Sequence, residues 1–178
     1  MIKFITKYAG SNVKIEKVNE NEVYLRQEIR DTTEWWFYWN FGAVSDTDAE
    51  VTFNFTNGDV IGNFGPAISY DLTDWKYDKE NSFISHHAFK YKLTSNKPVY
   101  FAFAEPYQVK DFEKFVKGIS ELKREYLTVT NGGRNQLFYT FGNEKSGKGF
   151  LIAARHHACE SVASFVLEGL VKYLVEND

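Results

Sequence analysis

The sequence predicts an α+β chain: an antiparallel β-sandwich over residues 1–106, a linker helix over 107–123, and the opening of an α/β domain over 124–178. Three observations carry this. Val13/Ile15 and Val51/Phe53/Phe55 alternate with polar neighbours, as half-buried antiparallel strands do. All three prolines lie at or before Pro106, and the pattern turns helical immediately afterwards. Phe150-Leu151-Ile152-Ala153-Ala154 is a continuous apolar run leading into a helical one, the mark of a strand buried on both faces beneath helices.

The high aromatic share of the whole chain, with 16 Phe and 11 Tyr, favours β structure. Residues 35–39 are aromatic on both faces, which predicts a strand covered on both sides. Thr56-Asn57-Gly58-Asp59 is a turn, because Asn-Gly tolerates positive φ. A longer irregular stretch follows at 62–78, holding Gly65-Pro66 and Trp75. His86 and His87 fall in strand pattern and so point to opposite faces, one surface and one core. Residues 99–104 give another buried strand, stopped by Pro106. Short aromatic strands at this spacing predict a sandwich.

Beyond Pro106, Phe112, Phe115, Val116, Ile119 and Leu122 repeat with helical period, giving an amphipathic helix between the domains. Residues 127–130, 137–141 and 149–154 read as three strands, separated by Asn131-Gly132-Gly133 and Glu144-Lys145-Ser146-Gly147-Lys148. The closing helix is apolar at Val162, Phe165, Val166, Leu170, Val171 and Leu174. That stripe is too wide for a surface helix and is expected to be mostly buried in the intact protein. A last sheet short of its other strands would expose edges and apolar surface, so a homodimer through this region is expected.

Composition narrows the function classes. A net charge of −3 argues against nucleic acid or an anionic membrane as partner, since both call for basic patches. One cysteine excludes an intramolecular disulfide and suits a reducing compartment. Lys3 and Lys7 interrupt the start too closely for a signal peptide, and no apolar run approaches the ~20 residues that span a bilayer. The expectation is a soluble, cytoplasmic protein.

The chemistry-bearing residues follow the apolar run at 150–154. His157 and Glu160 stand three apart where a strand gives way to a helix, and i,i+3 side chains are neighbours on a helical surface. Open α/β sheets bind ligands at that edge. An imidazole and a carboxylate so placed supply two of the three protein ligands of a His₂Glu zinc site. The bland alternative is a histidine and a carboxylate that cap a helix, since acidic residues in a first turn are favoured anyway.

Ala154-Arg155-x-His157-x-x-Glu160, followed by a small-residue and apolar helix, resembles the first metal-binding segment of the zinc carboxypeptidases. The nearest branch is the cytosolic type, which carries a β-sandwich before the peptidase domain. Glu34-Trp35-Trp36-Phe37-Tyr38-Trp39 resembles the aromatic strand of that sandwich. Ala102-Phe103-Ala104-Glu105-Pro106-Tyr107 with Asp111-Phe112 resembles the junction into the peptidase, and Tyr126-Leu127-Thr128-Val129-Thr130-Asn131-Gly132-Gly133 its opening strand. The resemblance covers most of the chain in the expected order. It departs at Ala158-Cys159, where the family often has Pro-Gly.

The resemblance implies a zinc metallocarboxypeptidase, a hydrolase cleaving carboxy-terminal peptide or amide bonds of peptides or proteins with one Zn²⁺. His157 and Glu160 would be metal ligands. The family's second histidine, its carboxylate-binding arginine and its general-base glutamate lie far downstream, and here no histidine follows Glu160. The chain is therefore expected to be the amino-terminal portion of such an enzyme, inactive alone. Two other readings stay open: a non-catalytic binding or assembly module with a relic metal motif, and a zinc amidohydrolase acting on small acylated metabolites. His156 reads as structural or exposed, Cys159 as a small packed thiol, and the Gly132-Gly133 and Gly147-Lys148-Gly149 segments as turns lacking phosphate-loop spacing.

Overall fold

The computed structural model describes residues 1–30, 32 and 36–177. In chain order the elements are β1 (Ile2–Ile5), β2 (Lys14–Asn19), β3 (Glu22–Arg26), β4 (Asn40–Ser45), β5 (Ala49–Phe55), β6 (Ala67–Ser69), β7 (Lys76–Tyr77), α1 (Lys79–Ser82), β8 (Phe83–Ser85), β9 (Ala88–Leu93), β10 (Val99–Ala102), α2 (Val109–Lys117), β11 (Lys123–Val129), β12 (Asn135–Thr140) and α3 (Ser161–Glu176). Backbone contacts group them into two units, Met1–Pro106 with His157–Ser161, and Tyr107–His156 with Val162–Asp178.

The first unit holds two five-stranded sheets, β1-β4-β10-β6-β7 and β2-β3-β5-β9-β8. Period-2 alternation builds them. In β5, Val51, Phe53 and Phe55 are buried while Glu50, Thr52 and Asn54 face outward to varying degrees. Both sheets feed one core: Val23, Leu25, Phe53 and Phe89 from one, Phe41, Ala43, Val99 and Phe101 from the other. Their rings meet at offset and tilted angles, with Phe53–Phe101 at 5.2 Å and Phe89–Phe101 at 5.1 Å. These arrangements are the favourable ones for aromatic quadrupoles.

Most pairings are antiparallel, as expected, but β3 and β5 run parallel, with Val23 opposite Phe53. The sheet is therefore mixed. β4 intervenes between β3 and β5 in sequence and sits in the other sheet, which supplies the crossover a parallel pair needs.

Three local expectations are corrected. Among the described members of the aromatic run, residues 36–39 precede β4 and join no ladder, while Glu34 and Trp35 lie outside the described residues. Trp39 is fully buried, whereas Phe37 is 41% exposed. Trp39 donates its indole N–H to the Val60 carbonyl at 2.8 Å and packs on Phe55 at 4.8 Å and Phe89 at 5.8 Å, so core packing and not sheet pairing fixes it. The stretch at 62–78 is not wholly irregular, because β6 and β7 pair there. His86 and His87 lie in the turn between β8 and β9, and both are exposed.

The second unit contains the hairpin β11–β12, closed by Thr130 N–H to Arg134 C=O at 2.8 Å. Gly133, at φ 74°, supplies the left-handed backbone this turn uses. α2 starts where Asp111 accepts the Gln108 backbone N–H at 2.7 Å. It ends at Gly118, earlier than the apolar repeat through Leu122 predicts, because glycine is a poor helix former. Phe112 of α2 meets Tyr139 of β12 edge-on at 5.3 Å.

The pairing among the described residues of this unit is antiparallel. Residues 149–154 form no strand. Phe150 and Leu151 are 94% and 95% exposed. A strand exists only against a partner, and β11 and β12 pair with each other alone. α3 likewise exposes Val162, Phe165, Val166, Leu170 and Tyr173. Among the described residues no helix is long and apolar enough to cross a membrane.

Candidate metal centre

Tyr107 is the fixed point of the segment that precedes α2. It is almost fully buried, lies edge-on to Phe165 at 5.1 Å and donates its hydroxyl to Glu168. Arg155 donates to its carbonyl. Burial, and then the Glu168 hydrogen bond and charge, hold the Tyr107 phenol above its ordinary range. Arg155 sits at φ 59°, a left-handed backbone that turns the chain just before the two histidines.

His157 and Glu160 follow within one tight turn, in which the Glu160 N–H donates to the His157 carbonyl at 3.1 Å. The His157 N–H donates to Glu160 Oε2 at 3.0 Å, and His157 Nδ1 lies 2.9 Å from Glu160 Oε1. One carboxylate oxygen is thus held by the backbone while the other faces the imidazole. Ser161, the next residue and the first of α3, is buried and donates its hydroxyl to the Glu105 carbonyl at 2.6 Å. That bond pins the turn to the segment following β10.

The two side chains are donor types that a cation accepts, and here they meet each other in a hydrogen bond. Two ligands about 2.0–2.1 Å from a tetrahedral zinc stand roughly 3.3 Å apart, and the observed donors are 2.9 Å apart, so a few tenths of an ångström of opening would admit the ion. One nitrogen and one oxygen are a donor set zinc accepts. Both side chains are substantially exposed, 64% for His157 and 42% for Glu160, which leaves the remaining coordination positions open. Among the described residues no group of three or more His, Cys, Asp or Glu side chains gathers to hold a metal.

The other sequence candidates disperse. His156 is exposed and Cys159 half-buried. His86 Nδ1 lies 2.8 Å from the Ile61 carbonyl, and His87 Nδ1 lies 3.6 Å from Asp59, so the vicinal pair engages two separate partners. The sequence marks Glu105 and Tyr107 only as part of the segment resembling the junction, with no role at this turn, and passes over Ser161, whose one signal is its nearness to the histidine motif.

No protein-family model matches the sequence, and no curated protein sequence matches it. Its fold is similar to solved metallo-carboxypeptidases. One is the metallo-carboxypeptidase from Burkholderia cenocepacia, with a TM-score of 0.79 at 18% identity over 98% of this chain and 49% of that one. Another is the metallo-carboxypeptidase from Pseudomonas aeruginosa in complex with (2-guanidinoethylmercapto)succinic acid, with a TM-score of 0.78 at 18% identity over 96% of this chain and 48% of that one. The chain thus spans about half the length of the solved structures it matches, and what it shares with them is a carboxypeptidase-like fold.

Proposed function

We propose that this chain carries the sandwich and the first metal-binding segment of a zinc-dependent metallocarboxypeptidase of the cytosolic branch. In this reading the two five-stranded sheets are the β-sandwich over 1–106, residues 107–123 link it onward, and 124–178 open the catalytic domain. His157 and Glu160 hold one zinc ion. The observation that carries the reading is their convergence, 2.9 Å between Nδ1 and Oε1, in a chain whose fold neighbours are metallo-carboxypeptidases.

A zinc ion held there would act as a Lewis acid toward a scissile carbonyl and lower the pKa of a bound water. The chain's own residues provide the hold. The His157 N–H fixes one oxygen of Glu160, leaving the other oxygen directed at the imidazole. The Ser161–Glu105 bond keeps the turn from swinging away. Substrates are peptide or protein carboxy termini, the compartment is the cytoplasm, and the exposed apolar residues of 149–154 and α3 support a homodimer through this region.

One observation favours a second reading, a non-catalytic module: no third metal-ligating side chain joins the pair among the described residues. The DNA beyond codon 178 separates the two. An open frame with a later histidine and glutamate supports the peptidase, and a stop codon supports the module. If the frame is open, turnover of peptides with free but not amidated carboxy termini is expected, while turnover of N-acyl amino acids alone would favour the amidohydrolase.

A further inference from the structure

We propose that the groove walled by Tyr70, Trp75, Tyr77 and Tyr91 binds a basic peptide segment, taking an arginine or lysine side chain between its rings and its carboxylates. The groove lies wholly in the first unit. It encloses about 690 Å³, and Asp71, Asp74, Asp78 and Glu105 line it against a single base, Lys76. That volume suits a side chain with its flanking backbone. Rings backed by carboxylates favour a cation twice, through the ring quadrupole and through direct ion pairing.

The walls are built in advance. Tyr91 is anchored edge-on to the core residue Phe101 at 5.1 Å, and its hydroxyl lies 2.7 Å from that of Tyr70. The loop carrying Tyr70 to Trp75 is tied by Asp71, which accepts the N–H groups of Thr73 at 2.8 Å and Asp74 at 2.9 Å. Leu72 in the same loop holds a left-handed φ of 65°, a conformation that costs a non-glycine residue and persists only where its surroundings impose it. Pre-formed walls spare a ligand the cost of ordering them.

Acidic side chains outnumber basic ones along the groove. Those backbone donors hold Asp71 below the usual carboxylate range. Burial first, then the Tyr70 hydrogen bond and the charges of Tyr70 and Asp78, hold the Tyr91 phenol above its own range. Glu105 places the groove beside the His157–Glu160 turn, since its carbonyl accepts the Ser161 hydroxyl. Peptide binding requires no metal at that turn, so the inference stands apart from the zinc reading.

The test is titration of the whole chain with acetyl-Arg-Arg-Arg-amide and, in parallel, acetyl-Glu-Glu-Glu-amide. Trp75 fluorescence and its indole N–H resonance are followed, with the resonance assigned from Trp75→Phe. The expected result is a saturable shift with the arginine peptide alone, weakened about five-fold by Asp74→Asn and by Tyr77→Ala. Glu20→Gln, a matched charge change in the turn between β2 and β3, should leave it unaltered. Absence of a shift at millimolar arginine peptide overturns the proposal, as does equal weakening by Glu20→Gln, which would mean general charge attraction. Asp74 lies exposed on the rim, so its variant keeps the test decisive should Tyr77→Ala fail to fold.

Discussion

Trp39 is where the sequence's aromatic content becomes stability, and its removal has a calculable cost. The side chain is fully buried among Phe41, Phe55 and Phe89, and its N–H satisfies the Val60 carbonyl. Trp39→Phe keeps most of the ring but deletes that donor. It should cost ~1–2 kcal/mol for lost apolar area and ~1 kcal/mol for a buried carbonyl left unpaired. Trp39→Ala adds a large cavity and should cost roughly 4–6 kcal/mol in all. Small domains hold only about 5–15 kcal/mol, so the alanine variant should stand close to unfolding. Urea denaturation followed by near-ultraviolet circular dichroism measures both, read as a shift in midpoint at constant slope. A loss below ~1 kcal/mol for Trp39→Ala would refute the claim that both sheets close on this ring. Equal losses for the two variants would show that the hydrogen bond, not the ring, dominates.

Two further outcomes follow from the same structure. Tyr8 donates to Asn40 at 2.7 Å, and burial, then the charges of Tyr38 and Tyr100, raise its phenol above the ordinary range. A raised folded-state pKa favours the neutral phenol, so this stabilisation is complete below the unfolded value of ~10 and is lost as pH rises beyond it. Tyr8→Phe should therefore flatten part of the alkaline decline in melting temperature, at a neutral-pH cost of ~1–3 kcal/mol for the stranded Asn40 oxygen; an unchanged alkaline limb would contradict this. Separately, sedimentation should find dimers of the chain that Phe150→Ser with Leu151→Ser dissociates, and a clean monomer at all concentrations would end the homodimer reading.

What was legible in the sequence was whatever depends on local period. Val51, Phe53 and Phe55 announce β5 and its buried face, and Asn131-Gly132-Gly133 announces the hairpin turn. What depends on a partner was not. Phe150 to Ala154 has the composition of a buried strand, yet it joins no ladder, and Phe150 and Leu151 stand almost fully exposed. The parallel pairing of β3 with β5 is set by sheet assembly, which alternation cannot encode. His86 and His87 were misplaced for a related reason: the strand pattern runs through Phe83 and resumes at Ala88, and nothing in the two imidazoles marks the reversal between them. The His157–Glu160 spacing was legible because i,i+3 proximity is local. The Ser161 to Glu105 bond that holds the turn spans distant sequence and left no trace.

The central claim is most directly tested by calorimetric titration of Zn²⁺ into the metal-free chain beside its His157→Ala and Glu160→Gln variants. One site is expected, weakened at least about tenfold by either change. Equal zinc affinity in all three proteins would contradict the account.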